Sequence, residues 1–308
     1  MISRFFRTKS IEQCLADADR PEHRLKKSLT VWNLTALGIG AIIGTGIFVL
    51  VGTAIVGDAH RPGAGPGIVL SFVLSGLTCA LAALCYAEFA AMIPVAGSAY
   101  TYSYATLGEF LAWLTGWNLI LEYGVACVAV AIGWSGYFNN LLKLAGLDLP
   151  YWATNPPHWA GGPEGSIANF PAAIIVLLVT IILVIGIKES ARATGYIVAL
   201  KLAVILFFLA VGAPAVNPEN WTPFMPQGFE GVRSAAAVIF FAYIGFDAVS
   251  TAAEEARNPQ RDVPLGIIGS LAVCTVLYVS VAAVLTGLVP VSQIDIHAPV
   301  AEALSLVG

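Results

Sequence analysis

Gly38-Ile39-Gly40-Ala41-Ile42-Ile43-Gly44-Thr45-Gly46-Ile47-Phe48 lies in an apolar run that carries no charge from Ser28 to Gly57. Its four glycines each cost a helix interior about 1 kcal/mol relative to Ala, so a spanning helix built on this run is weakest midway across the bilayer. A break there frees N–H and C=O groups that lipid cannot bond, and it is tolerated only where protein or a water-filled cavity covers the backbone. An interrupted span therefore predicts a binding cavity. The N–H groups that open the second half-helix, at Gly44, Thr45 and Gly46, would point into it with the positive end of a helix dipole, which suits a carboxylate. Small residues also let membrane helices pack closely, and Gly40 and Gly44 form a G-x-x-x-G. Taken alone, the glycines fit close packing as well as a break.

A nucleotide-binding reading fails on spacing, which is G-x-G-x-x-x-G, and on context, since no soluble strand-turn-helix surrounds the run. The chain of 308 residues is 58% hydrophobic and only 11% charged, with a mean hydropathy of +0.81. Soluble domains are about 45–50% apolar and 25% charged, so the composition is that of an all-α polytopic membrane protein. Cys14 is near the N-terminus, and Cys79, Cys85, Cys127 and Cys274 lie in apolar runs, where they read as small hydrophobes. The four histidines are scattered over the N-terminal tail and three loops. No metal site, cofactor or nucleic-acid partner is expected.

Residues 1–27 form a polar tail with seven of the fifteen basic residues, Arg4, Arg7, Lys9, Arg20, Arg24, Lys26 and Lys27, and no signal-peptide pattern. Seven apolar runs follow, each near the roughly 20 residues a span needs: about 29–56, 67–93, 110–142, 170–187, 197–216, 232–253 and 265–289. Alternation places Lys188, Arg192, Arg257 and Arg261 on the tail's side and only Arg61, Lys143 and Arg233 on the other. By the positive-inside rule the tail is cytoplasmic, in a chain of the plasma membrane. The linker 94–108, with Tyr100, Tyr102 and Tyr104, suits the membrane interface. The outer loop 143–169, rich in Pro, Gly and Trp, reads as an ordered cap.

The sixth run repeats the theme of the first, because Phe240-Phe241-Ala242-Tyr243-Ile244-Gly245-Phe246-Asp247 puts a Gly and an acid in mid-membrane. Two interrupted spans at corresponding positions mark the halves of an inverted-repeat transporter. Five spans per repeat give a first repeat over 28–216 and a second over 217–308 that is incomplete, with an eighth span only beginning at residues 297–308. The expectation is a chain truncated after about seven membrane helices.

Gly38–Phe48, Tyr86-Ala87-Glu88-Phe89 with Ile93-Pro94 and Gly97, Lys188-Glu189-Ser190-Ala191, Phe240–Asp247 and Glu254-Glu255-Ala256-Arg257-Asn258-Pro259 together resemble the amino acid–polyamine–organocation superfamily, specifically its cationic amino acid transporter branch and that branch's bacterial relatives. The resemblance implies a longer permease, of about twelve to fourteen spans, with the leucine-transporter type of five-plus-five core. It implies an amino acid substrate whose carboxylate meets the backbone at Gly44, Thr45 and Gly46, and whose amino group meets the carbonyls of Ile42, Phe241, Ala242 and Ile244. Carbonyls that end a half-helix carry the negative end of the dipole, in keeping with an ammonium. The resemblance places Asp247 in the gating region.

Ionisable residues inside spans are costly and are functional candidates by default. Glu88 fits a salt bridge or cap as well as a gate. Glu122 reads as part of the side-chain pocket or as a partner for a cationic substrate, against a simple hydrogen bond to nearby backbone. Asp247 reads as gate or as cap of the second half-helix, and Phe241 and Phe246 as walls that close the pocket. Lys201, the one base in a membrane interior, reads as the carrier of a coupled proton, in the place of the sodium of related transporters; the alternative is a lysine that snorkels to water. The expected partners are thus an amino acid, a proton and lipid, with a small membrane subunit left open. Two rival readings are a non-transporting subunit or fragment of such a permease, and a seven-helix receptor. The receptor reading suffers from the inverted topology and from a lysine in the fifth span instead of the seventh. No Ser/His, paired-Asp or metal constellation suggests an enzyme.

Overall fold

The computed structural model describes residues 7–18, 25–185, 191–296 and 298–305. A short amphipathic helix, α1 (Ile11–Ala18), buries Cys14 under the bundle. Its Ser10 hydroxyl accepts from the Gln13 N–H while Gln13 Oε1 accepts from the Ser10 N–H, a capping box that starts it. The first span is α2 (Val31–Ile42) followed by a π-helical turn (Gly46–Leu50) and α3 (Val51–Val56), and the two halves are bent by 42° at the glycine break. A two-residue antiparallel pair, β1 (Gly57–Asp58) and β2 (Arg61–Pro62), turns the chain into α4 (Ile68–Met92). The next elements are α5 (Ser98–Thr106), the long α6 (Glu109–Leu144), α7 (Phe170–Ile185) and α8 (Ala191–Gly212). The sixth span is α9 (Gly228–Ile239), a 3-10 turn (Phe240–Tyr243) and the one-turn α10 (Ala248–Thr251). The seventh is α11 (Pro259–Leu288), followed by α12 (Pro299–Ser305).

Among the described residues, five helices are long and apolar enough to cross a membrane, and the bent first pair makes a sixth. The fourth expected span is α7, described over Phe170–Ile185 up to residues that lie outside the described ones. Lys188-Glu189-Ser190 of the quoted motif lies outside the described residues, as do Arg4, Arg20, Arg24 and His297. The stretch expected to begin an eighth span forms the seven-residue α12. It buries Val300 and Ala303 and packs on the π-helical turn and on α8.

The core forms where α11 lies against α4 and α2. Phe72, Tyr243 and Tyr278 fill it as an aromatic trio with ring centroids 5.4 to 6.4 Å apart. The sixth span is fastened to α4 by hydroxyls: Ser71 Oγ donates to the Val232 carbonyl and Ser75 Oγ to that of Ala236, each at 2.8 Å. In an apolar interior such bonds have no water to compete with. Leu77, Leu81, Leu84, Ile120, Leu121, Leu200 and Val276 stand exposed on the outer faces, where lipid is the solvent that suits them. In the linker expected to suit the membrane interface, Tyr102 is buried and stacks on Phe89 at 5.2 Å.

Candidate functional site at the two helix breaks

Both interruptions are present, and they meet. In the first, Ile43 leaves the helix at φ −72°, ψ 101°, and the chain re-enters helix at Gly46. The N–H groups of Gly44 and Thr45 have no backbone acceptor among the described residues, and Thr45 is buried with its hydroxyl unbonded among them. In the second, Ile244 is extended at φ −55°, ψ 138°, and Gly245 follows at φ 108°, a conformation that a side chain resists. A Cβ on Gly245 would also stand 2.8 Å from the Ala41 carbonyl oxygen, and one on Gly46 would collide with Ala242. The two unwound segments can touch only because these positions lack side chains. At Gly44, by contrast, the nearest atom to an added Cβ is Val130 Cγ2 at 3.8 Å, so space opens there toward α6.

The carbonyls expected to receive an ammonium converge on Tyr278. Its hydroxyl lies 2.9 Å from the Ile42 oxygen and 3.0 Å from that of Ala242. One phenolic proton serves one of them at a time, and each carbonyl keeps a second lone pair for another donor. The Phe241 carbonyl accepts from the Ile244 N–H at 3.3 Å, and Phe241 and Ile244 are both half-buried. Lys201 reaches inward from α8, and its Nζ donates to the carbonyls of Gly40 at 3.1 Å and Ile43 at 3.0 Å. Those are the last carbonyls of α2, where a cation meets the negative end of the dipole. The ammonium therefore points at the break and does not snorkel.

Asp247 is 4% exposed and makes no cap bond to α10, which corrects the capping alternative. Its Oδ2 instead accepts from Ser98 Oγ at 3.0 Å and Tyr123 OH at 2.8 Å. Among the described residues no basic side chain pairs with it. Glu122 is half-buried on α6 beside Tyr123, also without a partner among them. Phe246 packs edge-on against Tyr86 at 5.4 Å, on the side of the break nearer the N-terminal tail, while Glu88 is exposed. Among the described residues no group of three or more His, Cys, Asp or Glu could hold a metal.

Sequence reasoning passed over Tyr278, Tyr123 and Ser98. Tyr278 carried a usable signal, since tyrosines in membrane helices favour the interfaces and this one falls in mid-span.

The family model described as "Amino acid permease" matches residues 29–308. The chain is 51% identical over 307 residues to the methylthioribose transporter of Bacillus subtilis (strain 168), covering 100% of this chain and 64% of that protein. It is 53% identical over 306 residues to the branched-chain amino acid permease BcaP of the same organism, covering 98% and 64%. It is 42% identical over 289 residues to cationic amino acid transporter 1 of Arabidopsis thaliana, covering 94% and 47%. The chain thus spans about two thirds of the length of its bacterial relatives and about half that of the plant one. The broken spans, the apolar exterior and these matches agree: this is an integral membrane protein, and it belongs to the amino acid permease family.

Proposed function

We propose that this chain carries the substrate site of a proton-coupled amino acid permease of the plasma membrane, with its N-terminus in the cytoplasm. The observation that supports this best is the meeting of the two unwound segments, which sets free N–H groups at Gly44 and Thr45 near the converging carbonyls of Ile42 and Ala242. A free amino acid carries an anion and a cation on one carbon, and this arrangement offers donors to the first and acceptors to the second. In this reading Gly44, Thr45 and Gly46 hold the carboxylate, and Ile42, Phe241, Ala242 and Ile244 hold the ammonium beside the Tyr278 hydroxyl. Glu122, Phe246 and Asp247 bound the side-chain pocket or its gate. Lys201 carries the coupled proton, since losing that proton would weaken its bonds to the Gly40 and Ile43 carbonyls and so tie charge to the geometry of the break.

A thermal-shift screen of the twenty amino acids and methylthioribose tests the site, followed by uptake of each hit into proteoliposomes with and without an inward proton gradient. A ligand at about 100 times its Kd stabilises by about 2.7 kcal/mol. No stabilisation by any of them would overturn the site. Binding without uptake would favour the second reading, a non-transporting subunit or part of a longer permease, which the 64% coverage of the bacterial relatives supports.

A further inference from the structure

The second and seventh spans, α4 and α11, run in opposite directions and approach closely. A Cβ on Gly76 would stand 3.0 Å from Thr275 Cγ2, and Ala80, Ala83 and Leu271 continue the floor of a groove between the two helices. Its volume is about 330 Å³. Spread along about 12–16 Å of helix, that is a cross-section of about 20–27 Å², against about 80 Å² for a helix about 10 Å across. The groove has the width of one hydrocarbon chain. Leu77 and Leu84 on one rim and Ile268 and Val276 on the other are exposed, so it opens outward to lipid. The hydroxyl of Thr275, the one polar side chain in its lining, is spent on the Leu271 carbonyl at 2.8 Å. Nothing in the groove suits a polar occupant.

Followed toward the tail, the two walls end in opposite charges. Glu88 lies one turn beyond Leu84 on the exposed side of α4, and Arg261 shares an exposed stripe of α11 with Leu265 and Ile268, the i, i+4, i+7 spacing of one helix face. Counted from the Gly76–Thr275 contact, Glu88 is twelve residues toward the tail and Arg261 fourteen, so at about 1.5 Å per residue their depths agree within about 3 Å. Among the described residues neither takes part in a salt bridge. The rise from Arg261 to Val276 is about 22 Å. That matches one leaflet, half of a hydrocarbon core about 30 Å thick plus a headgroup layer of about 5–7 Å.

We propose that this groove and the charges at its foot bind an ethanolamine phospholipid of the tail-side leaflet, with one acyl chain between α4 and α11, the phosphate on Arg261 and the ammonium on Glu88. The guanidinium offers paired N–H donors to phosphate oxygens, and the carboxylate accepts from the primary ammonium. A headgroup that carries both charges thus spans α4 and α11 where no direct ion pair does. A choline headgroup, methylated on nitrogen, has no N–H to give Glu88, and a glycerol headgroup has no cation at all. The chain groove is indifferent to these differences, so the headgroup residues set the preference. The site is separate from the two helix breaks and does not depend on how they are read.

The test places the full chain in choline phospholipid vesicles with a small, equal fraction of an ethanolamine, choline or glycerol phospholipid, each bearing the same photoactivatable diazirine in its acyl chain. Crosslinked peptides are then identified by mass spectrometry. The ethanolamine lipid should label the segments 73–84 and 268–276 about fivefold more than either of the others, the scale of an exposed ion pair. Glu88→Gln should bring its labelling down to that of the choline lipid, and Arg261→Gln should lower the labelling by all three. Both residues are exposed, so these variants keep the fold. Equal labelling by the three lipids in the parent overturns the site, and so does labelling confined to other segments. Strongest labelling by the glycerol lipid overturns it too, since the foot of the groove would then answer to negative charge alone. A preference that survives in Glu88→Gln, or labelling unchanged in Arg261→Gln, overturns the assignment of the headgroup.

Discussion

Gly44 and Gly46 stand two residues apart in the same break and face opposite steric conditions, so substitutions there separate folding from binding. A Cβ at Gly46 collides with Ala242, and overpacking of this kind costs about 1–3 kcal/mol or more. Gly46→Val should therefore melt far below the parent. Gly44 has room, and Gly44→Val should keep its melting temperature while losing amino acid binding, because the side chain fills the space beside the free N–H groups. Radioligand binding and melting curves on the two variants check both statements, and unchanged affinity in Gly44→Val would remove the carboxylate from this position. Thr45→Ala deletes a buried hydroxyl that has no partner among the described residues. It should weaken binding by about 1.5–3 kcal/mol, the range for a hydrogen bond to a charged group, at little cost to stability. Tyr278→Phe leaves the Ile42 and Ala242 carbonyls short of a donor and should lower stability by about 1–3 kcal/mol, with part of that loss restored by saturating substrate.

At the scale of elements, each break has its own device. The first is closed by a cation: the Lys201 ammonium caps the end of α2 through Gly40 and Ile43. The second depends on one left-handed residue, Gly245 at φ 108°. Lys201→Ala should cost about 1.5–3 kcal/mol in stability through the lost charged hydrogen bonds, keep some substrate binding, and lose the stimulation of uptake by an inward proton gradient. Proteoliposome uptake measures the last effect, and undiminished stimulation would move the coupling site to another acid, with Glu122 next. The first half of this element was legible from the glycine cluster, which told where a helix would fail. The second was not, because the reach of Lys201 across the bundle depends on how α8 packs on α2, a contact between residues some 160 positions apart.

For the whole molecule, the positive charge of the tail and its docking make an orientation testable. The tail is anchored at two places: the Arg7 carbonyl accepts from the Glu109 N–H at 3.0 Å, and Ser28 and Leu29 N–H groups donate to the Glu255 carbonyl at 2.8 and 2.9 Å. Both contacts are made at the end of the bundle where α6 begins and the sixth span ends. In sealed inside-out vesicles trypsin should cleave at Arg7, Lys26 or Lys27, all exposed, and in right-side-out vesicles these sites should be protected. Cleavage in the reverse pattern would invert the topology.

The sequence by itself determined the membrane class, the positions of the apolar helices and the two places where a helix fails. Those follow from composition and from glycine, properties each residue carries wherever the chain goes. It did not determine that α12 packs down on the first span, or that Tyr102 is buried against Phe89. Nor could it show which polar groups meet. Asp247 could cap its own helix or bond elsewhere, and Tyr278 is one tyrosine in an apolar run, until packing brings α5 and α6 to the first and both breaks to the second. Only the tertiary structure decided those partners, because in a low-dielectric interior a polar group must bond with whatever the packed helices place beside it.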